Sequence, residues 1–102
     1  MNQMMKQAQA LQRKLAKAQE ELAEQEVTGS AGGGMIRAVV NGSGTELQSV
    51  AINPEVVDPQ DVDMLQDMVV AAVNEALRAA KELESQTMGG LTGGMGLPPG
   101  LL

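Results

Sequence analysis

Residues 35–52, with the sequence MIRAVVNGSGTELQSVAI, decide the fold of this chain. Apolar side chains at positions 36, 38 and 40 face one way, and the side chains at 37, 39 and 41 face the other, which is the period-two pattern of a β-strand. Asn41-Gly42-Ser43-Gly44 follows and is typical of a hairpin turn. Residues 45–52 alternate again, with Val50 and Ile52 on the expected core face. The stretch therefore predicts two antiparallel strands joined by a tight turn.

A further strand and a long helix precede this hairpin. Val27-Thr28-Gly29 predicts a short edge strand, and the glycine-rich residues 29–34 predict a turn. Residues 2–26 contain no Gly or Pro, and their apolar side chains recur at spacings of 4, 3, 4, 3 and 4. These side chains form a heptad seam: Met4, Ala8, Leu11, Leu15, Ala18 and Leu22. We expect a helix of about 36 Å that projects from the body and packs its seam on another helix.

A second helix and a tail follow the hairpin. Asn53-Pro54 ends the last strand, and Asp58 with Pro59 after it predicts a helix start, with the helix ending near Ser85. Residues 86–102 are rich in Gly and Met and have no periodicity, which favours a flexible C-terminal tail over a docking peptide built on Leu97-Pro98-Pro99. The expected fold class is α+β: an α-β-β-β-α subunit with a three-stranded antiparallel sheet and two long helices.

The composition predicts a small core that needs a partner. The chain has 102 residues, no Phe, Tyr or Trp, and eight Met, so the core must be aliphatic. So small a core is hard to stabilise alone, and we expect an obligate oligomer. The chain has no Cys, no run of about 18 apolar residues and no apolar signal segment at its start. These features favour a cytoplasmic protein that does not enter the membrane.

Most catalytic classes are excluded by missing residue types. Without His or Cys there is neither a zinc site of the usual kind nor a Ser-His or Cys-His nucleophile. The glycine runs lack the spacing of a phosphate-binding loop. Asp61, Asp63 and Asp67 leave open an enzyme that depends on magnesium, but acids at a helix start are more typical of a cap. We expect no catalytic residue, no metal site and no cofactor.

The charges of the first helix run against the helix dipole. Its first half holds Lys6, Arg13, Lys14 and Lys17, and its second half holds Glu20, Glu21, Glu24 and Glu26. A helix favours the opposite order by about 0.3–1 kcal/mol per exposed group, so helix stability does not explain the pattern. A basic tip suits a polyanion, and the simpler alternative is a solvated face with chance clustering. If the two helices lie antiparallel, Arg78 and Lys81 join the same arm, although the net charge is −6.

Several short segments follow one another along almost the whole chain: residues 5–9 (MKQAQ), 27–29 (VTG), 34–42 (GMIRAVVNG), 52–54 (INP), 68–76 (MVVAAVNEA) and 97–100 (LPPG). Taken in this order, they resemble the YbaB/EbfC nucleoid-associated proteins. The resemblance implies an α-β-β-β-α subunit, a tweezer-like homodimer, and binding to duplex DNA with limited sequence preference. It also implies a role in organising the bacterial nucleoid and influencing gene expression. Lys6 lies inside one of the matching segments.

The sequence therefore predicts a nucleoid-associated, dimeric DNA-binding protein of the cytoplasm. Residues 1–85 would form a single domain for DNA binding and dimerisation, and 86–102 the tail. The expected DNA-binding residues are Lys6, Arg13, Lys14, Lys17, Arg78 and Lys81. Gln3, Gln7 and Arg13 are candidates for base contacts. The alternative is a protein-protein adaptor in DNA repair or replication whose contact with DNA is incidental.

Overall fold

The computed structural model describes residues 2–93 and shows the expected α-β-β-β-α order. The elements are α1 (Asn2–Glu24), β1 (Glu26–Ala31), β2 (Ile36–Asn41), β3 (Leu47–Ile52), a short 3-10 helix (Pro54–Val56) and α2 (Val62–Gly93). The strands form one antiparallel sheet in the order β1-β2-β3. The predicted fold class, with three antiparallel strands and two long helices, is confirmed.

The strand β1 is longer than the sequence indicates. It pairs with β2 from Glu26 opposite Asn41 to Ala31 opposite Ile36, whereas only residues 27–29 were expected to be a strand. The turn is correspondingly confined to residues 32–35 and begins with three glycines whose φ angles are 63°, 68° and 93°. Only glycine adopts such angles without strain, so the run specifies the turn while the residues before it pair.

The core lies between the sheet and α2, which crosses β1 and β2. Its buried side chains are Ile36, Ala38, Val40, Ala72, Ala76 and Ala80. The three β2 members are those that the alternation placed on one face, so that prediction is confirmed. The three α2 members are all alanine, and their small size brings the helix close to the strands. Gly29 completes this close approach, because a Cβ there would overlap the backbone nitrogen of Ala76.

The close approach predicts that Gly29→Ala destabilises the protein strongly. The added Cβ meets α2 backbone, which cannot move aside as a flexible side chain can. We expect a loss of roughly 2–3 kcal/mol in the free energy of unfolding, measured by urea denaturation at a fixed protein concentration. Gly90→Ala is the control, because no atom lies within 4 Å of its added Cβ and it should stabilise α2 by up to about 1 kcal/mol. Equal denaturation midpoints for Gly29→Ala and the unmodified chain would contradict the close approach.

Strand β3 lies outside the cover of α2. Val50 pairs with the buried Ala38, and Ile52 with the buried Ile36, so both face the core side of the sheet as expected. They nevertheless remain 37% and 40% exposed, and Leu47 is 49% exposed. The helix covers the first two strands and leaves an apolar strip along the third.

Both helices pass the same end of the sheet. Gly42 packs against the carbonyl of Leu22 in α1, and Gly44 in the same turn lies beside Ala80 of α2. Ala18 and Leu22 are buried, whereas residues 2–10 of α1 are exposed. The start of α1 and the end of α2 therefore extend beyond the sheet as an arm. The molecule measures 68 × 24 × 16 Å, and its radius of gyration is 18.7 Å, against about 13 Å for a compact domain of this length.

Two predicted helix boundaries are wrong. The first helix ends at Glu24 rather than residue 26, because Glu26 is already paired in β1. The second helix starts at Val62, and Asp61 rather than Asp58 caps it, accepting a hydrogen bond of 3.3 Å from the Met64 N–H. The Asp58 carboxylate instead accepts from the N–H of residue 60 in the preceding turn.

The predicted end of α2 near Ser85 is also wrong. The helix continues to Gly93, through two glycines at positions 89 and 90. Thr87 and Met88 are half-buried on this added stretch, and Leu11 and Leu15 are half-buried on α1, which packs against α2. The helix continues despite the poor helix propensity of glycine, and part of the added stretch is shielded from solvent. Residues 94–102, including Leu97-Pro98-Pro99, lie outside the described residues, and the division at residue 85 stays a prediction.

Candidate nucleic-acid interface

Three of the predicted DNA-binding residues form a line on α1. Lys6, Arg13 and Lys17 are spaced seven and four residues apart, which brings them to one side of a helix with 3.6 residues per turn. All three are exposed, and they point away from the buried Ala18 and Leu22. We call these three residues the basic stripe. It extends about 16 Å along the helix at 1.5 Å per residue.

A polar flank lies beside the basic stripe. Gln3, Gln7 and Lys14 follow one another at spacings of four and seven, so they share one side of α1, and all are exposed. Within the stripe, the Arg13 Nε donates a hydrogen bond of 3.4 Å to the carbonyl of Gln9, one turn earlier on the same helix. This flank presents two amides and an ammonium group next to the three cations.

The two α2 cations occupy a different surface. Arg78 and Lys81 are exposed and lie on the side of α2 opposite the buried Ala76 and Ala80, which face the sheet. The basic stripe in turn faces away from the seam of α1. The structure thus divides the expected single cluster into an α1 set and an α2 pair on two outward-facing sides of the chain.

Arg37 is an exposed cation outside the predicted DNA-binding set. It pairs with Ser30 and Ala51 on the outer face of the sheet, opposite the buried Ile36. Its side chain is exposed beside Gly34, near the turn between β1 and β2. The period-two alternation was a signal for this orientation, since position 37 falls in the set opposite position 36. Its place at the turn puts it at the other end of the sheet from the arm.

Charge is separated along the length of the molecule. Residues 2–17 carry four basic and no acidic side chains. Residues 54–67 carry five acidic and no basic side chains: Glu55, Asp58, Asp61, Asp63 and Asp67. This acidic segment lies at the end of the sheet where Met68 approaches Gly32, whereas the arm leaves from the end where Ala80 approaches Gly44. In the α2 part of the arm, Glu82 and Glu84 cancel Arg78 and Lys81, so the positive charge of the tip comes from α1.

The structure assigns a structural role to part of the acidic segment. Asp61 caps α2, and in residues 2–93 no group of three or more acidic side chains is placed to hold a metal ion. Among the same described residues, no helix has the length and apolar character needed to cross a membrane.

The fold and the exposed cationic helix agree with a class of small nucleoid-associated DNA-binding proteins. The chain belongs to the YbaB/EbfC DNA-binding family, whose family model matches residues 1–95. It is 59% identical over 101 residues to a nucleoid-associated protein of Saccharopolyspora erythraea, covering 99% of this chain and 86% of that one. It is 55% identical over 98 residues to a nucleoid-associated protein of Alkaliphilus metalliredigens, covering 96% and 85%. The predicted family membership is confirmed.

A solved structure supports the fold independently. The crystal structure of the uncharacterized protein HP0035 from Helicobacter pylori matches with a TM-score of 0.77, covering 90% of this chain and 96% of that chain. Because the two sequences are only 20% identical, this match shows the fold alone. The family is one of nucleoid-associated DNA-binding proteins and not of enzymes, in agreement with the sequence analysis.

Proposed function

We propose that this protein binds duplex DNA as a homodimer, with limited sequence preference, through the α1 helices of its two arms. The observation that carries the proposal is the basic stripe, in which Lys6, Arg13 and Lys17 are exposed on one side of a projecting helix. Four basic and no acidic side chains in residues 2–17 give this tip a local positive field on an anionic protein. Membership of a DNA-binding family supports DNA as the polyanion.

The chemistry of the stripe favours the DNA backbone over the bases. Lysine and arginine on phosphate oxygens fix position and supply affinity, but they read no sequence. The flanking Lys14 adds a further phosphate contact, and Gln3 and Gln7 beside it offer amides that reach base edges in a groove. Arg78 and Lys81, on the outward side of α2, contribute a weaker outer contact. Two amides per arm give a limited sequence preference.

The apolar strip along β3 supports the homodimer. We define the uncovered apolar face as Leu47, Val50, Ile52, Val70 and Leu77. Leu77 approaches Gly44 in the β2–β3 turn, and Val70 lies two turns earlier on the same side of α2, so this side of the helix borders β3. Val70 and Leu77 are 58% and 38% exposed. This exposed side of α2 and the exposed side chains of β3 therefore lie next to each other.

A second copy is the occupant that this face fits. A face made of one helix side and one neighbouring strand is self-complementary under two-fold symmetry, because α2 of each copy can lie on β3 of the other. The single chain also needs the added burial, since Leu22, Ile36 and Val40 are its only fully buried side chains larger than alanine among the described residues. Pairing through this face joins two bodies and leaves two arms free, which gives the tweezer-like dimer.

A dimer with two arms can hold two stretches of duplex or grip one. Either mode brings DNA segments under a common constraint, which is the physical basis for a role in organising the nucleoid and influencing gene expression. The relatives from Saccharopolyspora erythraea and Alkaliphilus metalliredigens carry the name nucleoid-associated protein, which supports this role and a place in the bacterial cytoplasm. The stripe and the apolar face both lie within the domain proposed for residues 1–85.

Salt dependence tests the proposed mode of binding. With the three stripe contacts and Lys14 in each of two arms, log K should fall with log salt at a slope of about −7, since each neutralised phosphate contributes about −0.9. A gel-shift or fluorescence-anisotropy titration on duplexes of two unrelated sequences measures the slope and the sequence preference together. A slope near zero would contradict phosphate binding, and a preference above roughly a hundredfold would contradict backbone recognition.

The adaptor alternative has no specific observation in its favour. The family is named for DNA binding and the relatives for nucleoid association, and none of these names mentions a repair or replication partner. The same titration separates the two proposals, because an adaptor with incidental DNA contact predicts weak binding that the stripe does not control.

A further inference from the structure

The basic stripe of α1 runs directly into an acidic one on the same side of the helix. Glu20, Glu21 and Glu24 follow Lys17 by three, four and seven residues, which are the spacings of helix neighbours on one side. All three glutamates are exposed. The charge on the outward surface of α1 therefore changes from positive to negative within about one turn after Lys17.

This arrangement is unfavourable for the helix itself. Acidic groups near a helix C-terminus oppose the helix dipole, and the last turn of α1 contains no basic residue. The three side chains are also not needed for the burial of α1, whose buried residues are Ala18 and Leu22. Because the three glutamates adjoin the basic stripe, a polyanion that lies along α1 meets them when it extends past Lys17.

We propose that Glu20, Glu21 and Glu24 form an electrostatic stop that confines duplex DNA to the outer part of α1. Phosphates that continue past Lys17 toward the body meet three carboxylates within roughly one Debye length, about 10 Å at 0.1 M salt. The stop keeps the duplex at the tips of the arms and sets the length of DNA that one arm contacts. The inference rests on the proposed function, since it assigns positioning residues to the same DNA-binding helix.

Neutralising the stop tests the proposal. The variant E20Q/E21Q/E24Q should bind duplex DNA about three- to tenfold more tightly at roughly 50 mM salt, because the repulsion of nearby phosphates is removed. The gain should shrink as salt rises, since it is a screened interaction. Hydroxyl-radical footprinting should show a longer protected stretch per arm than with the unmodified protein.

Two controls separate position from net charge. E55Q/D63N/D67N also removes three negative charges, but from the opposite end of the molecule, and should change affinity less than about twofold. E20D/E21D/E24D keeps the charges and should retain the unmodified affinity and footprint. Circular dichroism and thermal unfolding of each variant check that α1 remains helical.

The outcomes distinguish the stop from the DNA-binding proposal. If E20Q/E21Q/E24Q binds no more tightly, or if E55Q/D63N/D67N gains as much, the stop is overturned while binding through the basic stripe stands. If the unmodified protein binds duplex DNA with no salt dependence, or does not bind it, the proposed function and the stop both fail. A gain in affinity with an unchanged footprint overturns the confinement.

Discussion

Replacing Lys6, Arg13 and Lys17 together by glutamine will lower the affinity for duplex DNA by about a hundredfold at roughly 100 mM salt. The dimer loses six phosphate contacts, and at roughly 0.5 kcal/mol each they amount to about 3 kcal/mol, where 1.4 kcal/mol is a factor of ten. The slope of log K against log salt should become shallower by about 5 at the same time, which leaves the smaller slope that Lys14 contributes. Fluorescence anisotropy across a salt series measures both effects on one labelled duplex.

A charge-matched variant on the other surfaces gives this experiment its control. R37Q/R78Q/K81Q also lowers the formal charge from −6 to −9 by removing three cations, but leaves α1 intact. We expect it to lose less than about tenfold in affinity, because only the α2 pair lies near the arm. If this variant loses more affinity than the stripe variant, the main contact does not belong to α1.

The stripe variant should remain folded, which makes its loss of binding interpretable. All three cations are exposed and make no contact with the buried core. Removing positive charge from the first half of α1 also reduces an unfavourable interaction with the helix dipole. A thermal midpoint that falls by several degrees would show that the residues act on the fold rather than on DNA.

The parts of the fold that the sequence predicts correctly are those that local pattern specifies. Alternation placed Ile36, Ala38 and Val40 on one face, and all three are buried there. The Asn-Gly-Ser-Gly turn is correct for the same reason, because the Asn41 carboxamide accepts backbone hydrogen bonds from Thr45 and Glu46 as well as favouring the turn. Each of these signals acts within a few residues.

The errors come from choices that only distant contacts decide. Asp58 and Asp61 both follow rules for a helix cap, and the chain uses the second because the first closes a preceding turn. Gly89 and Gly90 argue locally against a helix, but α1 packs against α2 and the helix continues to Gly93. Propensity is a weak prior that tertiary packing overrides.

For the candidate site, the sequence predicted exposure of the cations better than their grouping. All six predicted side chains are exposed on helices. Counting residues by helix half placed them on one arm, whereas spacing around each helix separates the basic stripe from Arg78 and Lys81. The sequence also could not predict the uncovered apolar face. The alternation that includes Val50 is the same whether α2 of its own chain or a second copy of the chain covers that face.

Introducing Leu47→Glu and Val70→Glu together will weaken dimerisation by at least about a thousandfold. Each change puts a carboxylate into the uncovered apolar face, so a two-fold dimer must bury four unpaired charges, and even one such charge costs several kcal/mol. Leu47 is 49% exposed and Val70 58% exposed in the single chain, so the subunit fold tolerates both changes. Sedimentation equilibrium over a range of protein concentrations measures the dissociation constant.

Met64→Glu is the matched control for this pair. Met64 is 43% exposed but shares its side of α2 with Met68, which borders the β1–β2 turn at Gly32 rather than β3. The dissociation constant of this variant should stay near that of the unmodified protein. If Met64→Glu dissociates the dimer and the Leu47 and Val70 pair does not, the interface lies on the other side of the helix.

Thermal unfolding adds a second measurement of the same interface. If folding and dimerisation are coupled, the midpoint of the unmodified protein must rise with protein concentration by mass action. Among the residues whose burial the structure describes, the buried apolar side chains support this coupling, because five of the eight are alanine: Ala18, Ala38, Ala72, Ala76 and Ala80. The double variant should unfold at a lower temperature that does not depend on concentration. The unmodified protein should be measured over a hundredfold range of protein concentration that spans the dimer dissociation constant. A midpoint that stays constant over this range would mean that one chain is stable with β3 uncovered.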